Sequence, residues 1–219
     1  MAHMNMNRPQ APHGPPMQEC YLRLNHDFPP QQNYGQEAAL KTLLRVPQVS
    51  ITMPYSFVHI DKANEGDTHA IYLLQSPQKL PPDGIRYLEE EQRFAMSVGP
   101  NVEMEILETK GGFIPGGGDA FAWRVRRIFR LTKGGHPSMA ILHYSRGTPM
   151  PIPPHLINQP VRAYPLREVN EPSIYVTGEK MGTKIYPQQQ ALMAVASQNA
   201  ALGQMERRRD KERREAPVR

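Results

Sequence analysis

The chain has a single cysteine among 219 residues, Cys20, so it can close no internal disulfide and assemble no multi-cysteine zinc site. It also lacks any apolar run near the roughly 20 residues needed to cross a bilayer, and residues 1–19 contain no continuous apolar stretch of the signal-peptide kind. The expectation is a soluble, intracellular protein with no membrane contact. Aromatic residues are few, at 7%, with one tryptophan, and no motif offers a nucleophile, a base and an oxyanion donor together. Composition and motifs therefore give no catalytic residue, no cofactor, no metal and no small-molecule substrate, and the expectation is a protein that is not an enzyme.

What is abundant is proline, 23 residues, about twice the usual share of roughly 5%. Two tracts hold much of it. Residues 1–17 carry Pro9, Pro12, Pro15 and Pro16 among Asn and Gln with little to bury, and read as a disordered arm. The second tract, Thr148 to Pro172, reads as an extended path over the domain surface. The net charge of +5 is unevenly spread. From Glu206 to Arg219 there are seven Lys/Arg against four Asp/Glu, a net of +3, which leaves only +2 for residues 1–205. A basic isoelectric point therefore says little about the fold.

Between the tracts the apolar period changes repeatedly. Ala39, Leu40, Leu43 and Leu44 fall at helical spacing, with a stop expected at Val46-Pro47. Val49 to Met53, Ser56 to Ile60 and His69 to Gln75 have the length and β-branched content of strands, and Ile71 to Leu74, apolar on both parities, suggests a central one. Val102, Met104 and Ile106 alternate with Glu103 and Glu105. Beyond a Gly-rich segment, Trp123, Val125, Phe129 and Leu131 alternate with Arg124, Arg126 and Arg130. A third strand, Met139 to Ser145, follows the turn Gly134-Gly135-His136-Pro137. Successive antiparallel strands with one early helix imply an α+β fold: a single domain on a mainly antiparallel sheet with one short N-terminal helix, then a Pro-rich extension and a C-terminal helix. The expected organisation is an arm at 1–17, the α+β domain at 18–147, a Pro-rich segment packing on it at 148–186 and a charged helix or tail at 187–219. One core is expected from Trp123, Val125, Phe129, Leu131, Ile71, Leu73 and Leu142.

Several residue groups invite a chemical reading. The stretch Lys110 to Asp119 is Gly-rich but precedes a strand pattern, whereas a phosphate loop needs a helix N-terminus, so a connector is the better reading. His136 and His143 have no ligand spacing, and His143 is expected on a sheet face, hydrogen-bonded to backbone. Cys20 reads as buried and inert. Arg124, Arg126 and Arg130 could form a basic strand for nucleic-acid phosphates or a histone tail, but cross-strand pairing of Arg124 and Arg126 with Glu103 and Glu105 is favoured. Arg127 sits on the apolar parity and requires a carboxylate or carbonyl partner. From Pro187 onward composition favours helix, with Leu192, Val195, Leu202 and Met205 on one stripe broken by Asn199. That stripe is expected to dock on a partner and to be ordered by it.

Three motifs together carry a family resemblance: Pro81-Pro82-Asp83-Gly84 followed by Glu89-Glu90-Glu91; Gly112-Phe113 leading into the strand from Trp123 to Leu131; and Gly134-Gly135-His136-Pro137 leading into Leu142 to Gly147. From about Val46 to Gly147 the chain resembles the N-terminal domain of the fungus-specific Ssr-type accessory subunit shared by SWI/SNF and RSC chromatin-remodelling complexes. The resemblance implies a nuclear, non-catalytic subunit acting in assembly and transcription regulation beside a separate ATPase. Its partners would be other subunits of the complex, and indirect contact with DNA or the nucleosome is compatible with it. It also implies that the chain is an N-terminal fragment of a longer protein.

Overall fold

The computed structural model describes residues 20–74, 80–162, 165–177 and 180–185. In chain order the elements are β1 (Tyr21–Leu24), α1 (Gln36–Val49), β2 (Tyr55–Val58), β3 (Thr68–Tyr72), β4 (Arg86–Tyr87), β5 (Gln92–Gly99), β6 (Val102–Phe113), β7 (Phe121–Lys133) and β8 (Met139–Pro151). A 3-10 turn at Pro154–Leu156 precedes β9 (Ser173–Thr177) and β10 (Lys180–Ile185). Among the described residues the strands make one sheet in the order β10-β9-β2-β1-β3-β8-β7-β6-β4, with β5 also on β6. Every pairing is antiparallel. A mostly antiparallel sheet with one helix is what the changing apolar period implied. Residues 1–17 and 187–219, with the stripe Leu192, Val195, Leu202 and Met205, lie outside the described residues.

Helix α1 buries Ala39, Leu43 and Val46, a stripe at i, i+4 and i+7, against β7 and β8. It does not stop at Val46 but runs through Pro47 to Val49. Proline's fixed φ is itself helical, and the lost N–H is one bond near the helix end. Ser50 closes the turn instead, with its N–H (2.9 Å) and hydroxyl (2.7 Å) both donating to the Val46 carbonyl. The expected strand at Val49 to Met53 is therefore helix end and turn, with Thr52 and Met53 N–H groups bonded back to the Val49 carbonyl. Pairing begins only at Tyr55, opposite Leu24.

Both faces of the sheet are covered, so the expected single core is two. Under α1 lie Leu24, Tyr55, Tyr72, Phe129, Leu131 and Ile141. On the opposite face Tyr21, Ile71, Leu107, Ile128 and Leu142 are covered by Ile60, Ala63 and Ile85 from loops, with Leu73 packed against them. The parity explains the split, because Phe129 pairs with Ile141 whereas Ile128 pairs with Leu142. Trp123 belongs to neither cluster. The guanidinium groups of Arg124 (4.2 Å) and Arg146 (4.1 Å) both lie over its ring.

The described parts of the proline-rich tract make specific contacts with the domain. Strand β8 continues through Gly147 to Pro151, paired with β7 at Phe121 and Ala122. From there a strap crosses the domain. Gly116 N–H donates to the Ile157 carbonyl (2.8 Å), Arg86 donates to the Pro160 carbonyl (3.2 Å), Arg162 pairs with Asp61, and His59 Nε2 contacts the Arg167 carbonyl (2.9 Å). The strap ends where Ser173 meets Ser56 (2.7 Å) and Ile174 pairs with Tyr55, which brings Ile174 and Val176 into the core under α1.

Candidate functional site

The main concentration of buried polar chemistry lies on the face opposite α1, around Asp83. Residues 80–85 form a loop that crosses this face, and the Asp83 carbonyl accepts from Lys62 N–H at 2.7 Å. Asp83 is 2% exposed, and its side chain accepts four donors. Ile85 N–H reaches Oδ1 (3.2 Å), while Tyr87 OH (3.0 Å), Tyr144 OH (3.1 Å) and Arg126 Nη1 (3.0 Å) converge on Oδ2. Tyr21 OH donates to the Pro81 carbonyl at 2.7 Å, and the Arg126 guanidinium lies over the Tyr87 ring at 4.9 Å.

The electrostatics follow from burial and this geometry. Burial, then the Asp83 carboxylate, pushes the Tyr21, Tyr87 and Tyr144 phenols upward. Burial, the largest single influence, works to lower Arg126, but Asp83 together with Tyr87, Tyr21 and Tyr144 outweighs it and raises the guanidinium. The tyrosines are donors and the carboxylate oxygens are already engaged, so the arrangement pins a loop to a sheet. Among the described residues no group of three or more His, Cys, Asp or Glu is placed to hold a metal ion.

Each sequence-predicted arginine has a carboxylate. Arg124 pairs with Asp119, Arg126 with Asp83 and, at 3.8 Å, with Glu91, and Arg130 with Glu105, which also meets Arg93 at 3.3 Å. Their side chains are only 13%, 13% and 19% exposed. The expected partners differ in register. Glu105 stands opposite Arg130 rather than Arg124 or Arg126, and Glu103 opposite Lys133 (3.5 Å). The cause is that β6 runs on through Gly111-Gly112-Phe113, so the turn falls at 114–120 and the facing pairs shift along β7. Arg127 finds its carboxylate in Glu108 (2.6 Å), with Ser145 Oγ at 3.3 Å. Burial opposes the charged form of Glu108, but bonds from Lys110 and Arg127 leave its carboxyl lowered.

His143 is fully buried on the α1 side of β8, where its Nδ1 lies 3.0 Å from Thr68 Oγ1. The expected backbone partner is the Asp67 main chain, and the Thr68 hydroxyl on the neighbouring strand adds a side-chain contact. Burial first, and then Arg127, lowers His143 to about 4. His136 accepts from Ser138 N–H (3.2 Å) in the β7–β8 turn, and Cys20 is buried with Sγ 3.8 Å from His59 Nε2.

Residues 16–162 match the family model for the N-terminal region of the SWI/SNF and RSC complexes subunit Ssr4. The chain belongs to this family. A curated relative, the SWI/SNF and RSC complexes subunit ssr4 of Schizosaccharomyces pombe, is 30% identical over 161 residues, which cover 69% of this chain and 38% of the relative. The chain thus spans well under half the length of that relative. In this member of the Ssr4 N-terminal family the quoted motifs fall on residues that hold the fold. Gly84 follows Asp83 at φ +73°, and a side chain there would collide with the Asp61–Arg162 pair. At Gly112 a Cβ would come within 2.9 Å of Ile85, Tyr87 and Arg124, so a larger residue would force β4 away from β6. The sequence reading missed Asp83, Tyr21, Tyr87 and Tyr144 as one cluster. The available signal was a carboxylate between Pro82 and Gly84, a turn composition that also fits an ordinary surface loop.

Proposed function

We propose that this chain is a non-catalytic accessory subunit of a chromatin-remodelling complex of the SWI/SNF and RSC type, acting in the nucleus through protein–protein contacts in complex assembly and transcription regulation. The family match over residues 16–162 carries the reading. It is consistent with the character of the Asp83 cluster, whose buried carboxylate is taken up by Tyr87, Arg126 and Tyr144 in holding a loop to the sheet. The stripe Leu192, Val195, Leu202 and Met205 is offered, on its sequence pattern, as one surface for another subunit. Direct nucleic-acid or histone-tail binding through Arg124, Arg126 and Arg130 is the weaker reading. Phosphate binding draws on cations free to release counterions, and these three already face carboxylates.

The test is purification of the tagged protein from its native fungus, followed by mass spectrometry. Recovery of a remodelling ATPase with its actin-related subunits in constant ratio supports the proposal. Recovery of free protein, or of protein carrying a metabolite, contradicts it.

A further inference from the structure

Strand β5 is an outer strand of the sheet. One edge pairs with β6 from Gln92 to Gly99, and among the described residues nothing pairs with the other. Strand β4 meets β6 only at Gly112 and Phe113, beyond the stretch that β5 occupies. Native proteins usually guard such an edge with proline, several charges, a β-bulge or a covering element, and β5 has of these only an irregularity between Ser97 and Gly99 at its far end. Strand β5 contains no proline, and its one charged residue, Arg93, is turned onto Glu105 on the sheet face. All eight residues are exposed or half-exposed. On the α1 side of the sheet Phe94 is 43% exposed beside Ile106, and Met96 and Val98 continue that row, packing partly on the core. The chain enters β5 through Glu89, Glu90 and Glu91. Glu91 is drawn to Arg126, whereas Glu90 is exposed and makes no ion pair among the described residues.

We propose that β5 accepts an added antiparallel strand from a partner protein. The segment it fits is extended, apolar at alternate positions to continue the row of Phe94 and Met96, and lysine- or arginine-bearing at its C-terminal end, where it passes Glu89 and Glu90. Antiparallel addition continues the pattern of every other pair in the sheet and gives the slightly more stable ladder. Backbone bonds supply affinity in such a mode, and alternate side chains supply selectivity. A second copy of the chain is a poorer occupant. Pairing two β5 strands about Ala95 sets Phe94 opposite Met96 of the other copy, but it brings the glutamates to Gly99, Pro100 and Asn101, with no cation and with a proline that ends the ladder. An eight-residue strand pair also buries far less than the roughly 800 Å² per partner of a stable dimer. The subunit role proposed above bears only on where the segment comes from, and the site itself rests on β5.

The experiment uses the whole 219-residue chain and a labelled peptide, Thr-Val-Thr-Val-Thr-Val-Lys-Lys, followed by fluorescence anisotropy. Saturable binding is expected, weakened about five-fold or more by Phe94→Ser and by replacing the two lysines with glutamates. Methylating the peptide's amides on alternate residues separates strand addition from general adhesion, because one register should abolish binding and the other should leave it intact. Should Phe94→Ser not fold, the charge reversal Glu89→Lys with Glu90→Lys replaces it, and it should invert the preference between the lysine and glutamate peptides. No binding, or equal tolerance of both methylation registers, overturns the proposal. Concentration-dependent dimers that disappear on Phe94→Ser also overturn it, by making the occupant a second copy. All of these outcomes concern the purified chain alone, so complex membership stands or falls separately by co-purification.

Discussion

Arg126, in the middle of β7, donates to Asp83 across 43 positions of sequence at 3.0 Å, and this pair fixes the 80–85 loop as the lid of the sheet's second core. Removing one partner leaves the other buried without its counter-charge. Asp83→Ala should therefore cost about 3–5 kcal/mol, enough to unfold a marginal domain. Changing both residues to apolar ones should cost less than the two single changes summed. Urea unfolding of the four proteins checks this, and simple additivity would show that the two side chains do not act as a pair.

The register of the β6–β7 hairpin has its own test. Glu105 and Arg130 face each other, and both side chains are largely buried, so a double-mutant cycle between them should give a coupling of about 0.5–3 kcal/mol. The same cycle between Glu105 and Arg124 should give none. Coupling in the second pair alone would restore the register suggested by simple alternation.

This register also marks the limit of what the sequence could reveal. The existence and type of β6, β7 and the first half of β8 were legible because apolar and charged residues alternate there, and Arg127 was legible as a charge in need of a partner. The turn position was not, since Gly111 and Gly112 read as loop while the ladder in fact runs through them to the short strand β4. A covered second face hid the division of the core, because apolar residues on both parities of β3 and β8 cannot say which face each occupies. Pro47 and Val49 misled for a local reason, the Ser50 closure of α1, and β9 was hidden because its contacts with Tyr55 and Ser56 are remote in sequence. The Asp83 cluster was the least legible, with its members spread from Tyr21 to Tyr144 and no spacing to connect them.

His143 predicts a pH dependence. Its lowered native value, about 4 against an ordinary 6.5, means that the unfolded chain takes up a proton first as pH falls. This contribution to stability is whole above pH 6.5 and is lost between 6.5 and about 4, by up to about 3 kcal/mol. His69 is shifted in the same direction by burial and Arg23. His143→Asn should flatten the stability profile in this window without removing it entirely. An unchanged slope would mean that His143 is not held neutral.

The strap predicts that the folding unit outlasts the family match, which ends at residue 162. A chain cut after 162 loses Ile174 and Val176 from the α1 core and the Ser173–Ser56 bond. The cost should be at least about 3 kcal/mol relative to a chain ending at 185. Equal denaturation midpoints for the two would show that β9 adds nothing to the fold.

The proposed role, an accessory subunit that assembles and does not catalyse, has a decisive test in deletion of the gene in its native organism, purification of the remodelling complex, and measurement of its composition by mass spectrometry alongside ATP turnover per ATPase subunit. Loss or substoichiometry of at least one further subunit is expected, with turnover per ATPase unchanged. A complex of intact composition whose turnover collapses, and recovers when the purified chain is added back, would contradict that role.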